Sequence, residues 1–223
     1  MDIFEAMEKR HSVRSYTDQA INAETIRELN SEIAACNAES GLHIQLVTNE
    51  PEAFSGMMAH YGKFRGVENY IALIGKKSSG LHEAIGYYGE RIALKAQQLG
   101  LNTCWVAMTF SKGKSKRNCV MNAGDKMVCV LSLGYGSTQG TPHTNKPIDS
   151  LYNCSGTKPD WFQKGMDAVM LAPTATNQQK FRFTLDGNQV KAETTGGFYS
   201  DVDLGIVKYH FEVGAGKENF VWQ

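Results

Sequence analysis

The run "YIALIG", residues 70–75, constrains this chain more than any other stretch. It is apolar without alternation and too short for a helix core. It therefore reads as a strand in a sheet covered on both faces. Such a strand needs partners and helices to bury it. "LHIQLVT" (42–48), "LNTCWVAM" (101–108) and "KMVCVLSL" (126–133) read as those partners. Asp2 caps a short helix carrying Ile3, Phe4 and Met7. Asn22 caps a second, whose Ile26, Leu29, Ile33 and Cys36 fall at helical spacing. Ser79 opens a long helix with Ile85, Tyr88, Ile92, Ala96 and Leu99 on one stripe, and Gly100 stops it. A basic loop, 112–117, separates the last two strands, and 51–66 has no clear period. Residues 134–159, rich in Gly, Thr, Pro and Asn, read as an extended connection.

After that connection the chain starts again. Pro159 suits the first position of a helix that runs to Pro173, with Phe162, Met166 and Val169 on one face. Phe181, Phe183 and Leu185 alternate with Lys180, Arg182 and Thr184 as a half-buried strand, and Asp186-Gly187 turns it into a hairpin. A last helix carries Val202, Ile206, Tyr209 and Val213. Helix 23–38, strand 42–48 and helix 80–99 thus match helix 159–172, strand 180–185 and helix 201–215 in order. In both long helices a glycine lies eleven residues before the one that ends it, Gly89 to Gly100 and Gly205 to Gly216. This order of elements favours a degenerate internal duplication.

Composition narrows the function classes. The 223 residues carry no net charge at neutral pH, so no global field draws in nucleic acid or an anionic membrane. No apolar run approaches the roughly 20 residues of a membrane span. "MDIFEAMEKR" is charged and amphipathic rather than signal-like. The five cysteines, without a C-x-x-C pair, read as reduced thiols of a cytoplasmic protein, and neither they nor the six histidines have metal-site spacing. "SKGKSKR" ends like a phosphate-binding P-loop, but Met108 stands where that motif needs its first glycine. There is no G-x-G-x-x-G after a strand and no G-x-S-x-G elbow. What remains is chemistry supplied by a cofactor.

Two stretches could hold one. "EKRHSVRSY" places Arg10, His11, Ser12 and Arg14 within five positions, and in an extended segment Arg10, Ser12 and Arg14 share a side. Two guanidiniums and a hydroxyl suit a phosphate; the alternative is a solvated basic loop. "APTATNQQ", 172–179, offers small side chains against which a flat ligand could lie, or simply a helix stop with an asparagine turn.

Together these residues resemble the nitroreductase family of FMN-dependent flavoproteins. The resemblance rests on Arg10-His11-Ser12-Val13-Arg14, on "GERIALKAQQLGLNTCWVAM", and on "LSLGYG" followed by "HTNKPIDSLY"; it covers most of 1–155. That family carries A-P-S-x-x-N-x-Q-P after its second helix. Here that place reads "CNAESGLHIQL", and "APTATNQQKFRF" stands in the C-terminal repeat, with Thr174 for the serine and Lys180 for the proline. The resemblance implies an α+β fold, a three-layer α-β-α sandwich on a central mixed or antiparallel sheet. It implies a nitroreductase-like first half, 1–155, and a degenerate second half, 156–223, completing one flavin site within a monomer that mimics the family's dimer. Arg10, His11 and Ser12 would meet the phosphate and ribityl end of FMN, and Arg14 the pyrimidine edge. Val106 and Ala107 would lie on the N5 side. Pro173, Thr174, Ala175 and Asn177 would touch the ring, and His143 and Lys146 belong to the basic-Pro segment. The implied activity is hydride transfer from NAD(P)H through FMN to a nitroaromatic, quinone or flavin-like acceptor. The alternative is a non-catalytic FMN-binding or sensing protein. No protein acid or base is assigned, and no metal, nucleic acid or membrane partner is expected.

Overall fold

The computed structural model describes residues 1–223. The chain divides into two compact units, one of 1–81 with 91–141 and one of 82–90 with 142–223.

In the first unit, helix α1 (Ile3–Lys9) begins where Asp2 accepts a hydrogen bond from the Glu5 amide. Helix α2 (Ala23–Ser40) is capped by Asn22 through the Thr25 amide and ends on Gly41 in the left-handed region. Strands β1 (Gln45–Val47), β2 (Asn69–Lys76), β3 (Asn102–Val106) and β4 (Asp125–Gly134) form an antiparallel sheet in the order β1-β2-β4-β3. As expected, Tyr70 to Ile74 are fully buried. Between β1 and β2 the aperiodic segment forms a 3-10 turn, Glu52–Phe54, and helix α3 (Met57–Tyr61). Phe54 packs against Phe64, Tyr70 and Phe110 there. Helix α4 (Leu81–Gln98) follows β2; its residues 82–90 belong to the second unit and the rest to the first. The basic stretch between β3 and β4 is not a loop. It is a six-residue helix, α5 (Lys112–Arg117), started by Ser111 accepting from the Lys114 amide, with Ser115 buried and Lys112 donating to the Val128 carbonyl. A capping serine and one buried position suffice to make a charged run helical.

The second unit has its own sheet. The connection read as extended contains β5 (Tyr152–Ser155), which pairs in parallel with β6 (Phe181–Asp186). The hairpin to β7 (Gln189–Thr194) forms as expected, turning through Gly187 and Asn188, and β8 (Val221–Trp222) pairs in parallel with β7. The α+β class therefore holds, with the strands shared between two four-stranded sheets rather than gathered in one. Pro159 is the cap residue before helix α6 (Asp160–Val169), not its first turn. Helix α7 (Ser200–Ala215) packs closely on α6, where a side chain at Gly165 would meet Phe211 and one at Gly214 the Lys164 carbonyl. Phe211 stacks on Phe183 with ring centres 4.9 Å apart, and Phe162, Phe220 and Trp222 complete the cluster.

The α4 residues of this unit cross α7 at two glycines. A Cβ at Gly86 would lie 2.0 Å from the Val202 carbonyl oxygen, and one at Gly205 would lie 1.9 Å from that of Glu83. Each glycine thus faces the carbonyl three residues before the other. Gly86 and Gly205 therefore mark the closest approach of the two helices. Buried Glu90 and His210 lie farther along the same helices, with Glu90 Oε1 3.1 Å from His210 Nε2 and His210 Nδ1 3.0 Å from the Ala168 carbonyl.

Candidate functional site

In the first unit the R-x-S-x-R segment runs beside β3. The Val13 amide donates to the Thr103 carbonyl at 3.0 Å, and Ser12 and Thr103 form a parallel bridge. Val13, pointing the other way, is buried in the core with Tyr16. Tyr16 donates its hydroxyl to the Val13 carbonyl at 2.7 Å, and the same oxygen lies 2.7 Å from Ser132 Oγ. Along the segment Arg10 is buried, Ser12 half-buried and Arg14 exposed. All three act on one thiol, Cys104 in the middle of β3. Burial pushes that thiol's pKa up, while the Arg14 charge, a Ser12 hydrogen bond and the Arg10 charge pull the other way. Arg10 is only 2% exposed, so its guanidinium lies where water screens charge poorly. His11 packs against the loop after β4: a side chain at Gly140, whose φ is +72°, would collide with its Cβ. Val106 ends β3 and Ala107 follows it, so both stand at the end of the strand that the arginine segment borders.

In the second unit the structure gathers the other six predicted residues around one short loop. After α6 the backbone makes a 3-10 turn, Ala175–Asn177, and Thr176, Asn177 and Gln179 take φ values of +51°, +56° and +46°. Left-handed backbone in residues other than glycine costs about 1 kcal/mol each, so three in four positions need external support. Thr174 Oγ1 accepts from the Gln179 amide at 3.1 Å. Asn177 Nδ2 donates to the Thr144 carbonyl at 2.7 Å, and its Oδ1 accepts from Gln179 Nε2 at 2.8 Å. Lys146 Nζ donates to the carbonyls of Gln178 (2.7 Å) and Gln179 (3.1 Å), while its amide donates to Gln179 Oε1 at 2.9 Å. His143 Nε2 lies 3.1 Å from the Met170 carbonyl, just before Pro173. The side chains of Lys146 and Asn177 are thus both engaged in holding this loop.

Sequence reasoning did not single out Gln178, Gln179 or Asp203. Asp203 is 3% exposed and accepts from the Ala175 amide at 2.8 Å and from Gln178 Nε2 at 2.7 Å. Its carboxyl is pushed up to about 6, chiefly by burial, against the lowering effect of those two bonds. The available signal was an aspartate inside the apolar run "VDLGIV". No group of three or more His, Cys, Asp or Glu side chains could hold a metal ion, and no helix is long and apolar enough to cross a membrane.

Residues 2–215 match the protein family described as "Putative TM nitroreductase". The chain belongs to that family. Among solved structures it is similar to the "putative nitroreductase" of Thermotoga maritima, with 22% identity and a TM-score of 0.65, over 98% of this chain and 85% of that one. A nitroreductase-like protein from Streptococcus mutans gives 13% identity and a TM-score of 0.56, over 66% of this chain and 95% of the other. A "putative nitroreductase" from Desulfovibrio desulfuricans, solved in complex with FMN, gives 16% and 0.54 over 67% and 94%. These likenesses establish the nitroreductase fold. No curated protein matches the chain.

Proposed function

We propose that this nitroreductase-family chain is an FMN-dependent oxidoreductase that takes hydride from NAD(P)H and passes it to a nitroaromatic, quinone or flavin-like acceptor. The observation that carries the reading is the R-x-S-x-R segment laid along β3, with Ser12 bridged to Thr103, the Val13 amide on the Thr103 carbonyl and Arg10 buried. A buried guanidinium, a hydroxyl and a second guanidinium fit a phosphate dianion and the electron-rich edge of a flavin. The FMN complex of the Desulfovibrio desulfuricans relative supports the same cofactor.

Bound FMN would supply the hydride relay, so the chain's residues need only bind, orient and polarise. Arg10, His11 and Ser12 would hold the phosphate and ribityl chain. Arg14 would place a positive charge where negative charge gathers on reduction. Val106 and Ala107 would offer backbone at the N5 side. The family resemblance extends the set to Pro173, Thr174, Ala175, Asn177, His143 and Lys146. In the same reading the chain is a monomer replacing the family's dimer through internal duplication. Five cysteines without a disulfide agree with a cytoplasmic setting.

The deciding experiment is the visible spectrum of the purified protein, followed by anaerobic addition of NADH or NADPH. One FMN per chain that bleaches on addition is the expected result. Flavin that stays oxidised with both nucleotides would instead indicate a flavin-binding or sensing protein.

A further inference from the structure

Resting on the FMN reading, we propose that Asp203 and Gln178 are positioning residues that hold the 174–179 loop in its flavin-receiving shape. Gln178 Nε2 spends both of its N–H bonds at once, one on the Phe198 carbonyl at 2.8 Å and one on Asp203 Oδ2 at 2.7 Å. The other carboxylate oxygen of Asp203 receives the Ala175 amide at 2.8 Å. The two residues therefore clamp the loop at Ala175 and Gln178, on either side of the left-handed pair Thr176 and Asn177. They also tie it to the segment after β7, where Gly197 sits so close to the Gln178 amide oxygen that a Cβ there would lie 2.4 Å from it. Steric crowding at Gly197 and the two acceptors together fix which way the Gln178 amide points.

This orientation makes an acceptor at position 203 chemically specific. A carboxylate has acceptor oxygens on both arms, and the clamp uses both. Asparagine has the same shape but one acceptor and one donor. It can keep the Ala175 bond only by turning its NH2 group toward the Gln178 NH2 group, and two donors then face each other. Asp203 touches neither the proposed cofactor nor a reacting atom in this reading. It acts through Ala175 and Gln178, by paying in advance the ordering that a mobile loop would pay on binding.

The test compares wild type, Asp203→Asn, Gln178→Ala and the double variant. Amide hydrogen exchange across 174–179 is measured in the FMN-free proteins, and FMN affinity and the visible circular dichroism of bound flavin are measured well below the melting temperature. Expected are faster exchange in both single variants, FMN binding weaker by about tenfold or more, and an altered flavin dichroism band. The double variant should bind no worse than Asp203→Asn alone, because removing the Gln178 amide removes the facing donors. Gln178 is partly exposed, so its alanine variant keeps the question open to measurement if Asp203→Asn fails to fold. Wild-type exchange in the variants would overturn the proposal, and so would a loosened loop with wild-type FMN affinity and dichroism. Wild-type protein that binds no FMN would instead sink the cofactor reading; the exchange data would then decide by themselves whether Asp203 and Gln178 hold the loop.

Discussion

Burial raises the Asp203 carboxyl from an ordinary 3.8 to about 6, and the sign of that shift fixes its effect on the fold. The folded state holds the proton more tightly than the unfolded chain between those values. Stability therefore falls as pH rises from about 4 to 6, by up to about 3 kcal/mol once the group is ionised. Urea unfolding at pH 4.5 and at pH 7 should show this loss in wild type and a flatter dependence in Asp203→Asn. A second residue-scale expectation concerns Arg14. Replacing it by alanine removes a cation from beside the proposed flavin ring while leaving Arg10 and Ser12 in place. The flavin's two-electron potential should fall by roughly 30 mV or more, since 30 mV corresponds to about 1.4 kcal/mol. Much of the FMN affinity should remain. Redox titration against reference dyes reads the first quantity and equilibrium dialysis the second. Burial raises the Cys104 thiol against the pull of the Arg14 charge, the Ser12 hydrogen bond and the Arg10 charge.

At the scale of elements, two close approaches set the second unit. Gly205 cannot carry a side chain without moving the Glu83 carbonyl, which its Cβ would strike at 1.9 Å. Gly205→Ala should therefore cost about 3 kcal/mol or more through overpacking between helices, seen as a lower melting temperature or loss of soluble protein. Gly100 makes a useful control, because it ends α4 with φ of +81° and open space around it; strain there is local and should cost about 1 kcal/mol. Between α6, α7 and the second sheet, Phe211 is fully buried against Phe183 and Phe162. Phe211→Ala should lose roughly 3–5 kcal/mol, measured by denaturant unfolding. Much of this layer was legible in sequence. Caps at Asp2 and Asn22, the stop at Gly100 and the hairpin at Gly187 depend on residues a few positions apart, and local chemistry decides them. Helix α5 was missed because its run of lysines has no apolar face to show. Strand β5 was missed because its one pairing partner, β6, lies 31 residues farther along.

For the whole molecule, the proposal is one FMN on one chain of 24.6 kDa. Light scattering with in-line absorbance should give a monomer mass and a flavin-to-chain ratio near one. Asn177→Ala tests the reach of the site along the sequence. Its side chain binds the Thr144 carbonyl and Gln179, so losing it should loosen the 174–179 loop and weaken FMN about tenfold. Unchanged affinity would remove that loop from the flavin site and leave the arginine segment as the whole of it.

The amino-acid sequence by itself determined the family, the buried strand at 70–75, most helix boundaries and both candidate stretches. These depend on periodicity, caps and short motifs, which are carried by neighbouring residues. Only the tertiary structure decided that the strands form two sheets, that Gly86 and Gly205 let two helices cross closely, and that Asp203 braces a loop almost thirty positions earlier. Those outcomes depend on which atoms meet across the fold. A backbone carbonyl close enough to forbid a Cβ, or a buried carboxylate in need of two donors, leaves no repeat or motif in the chain that encodes it.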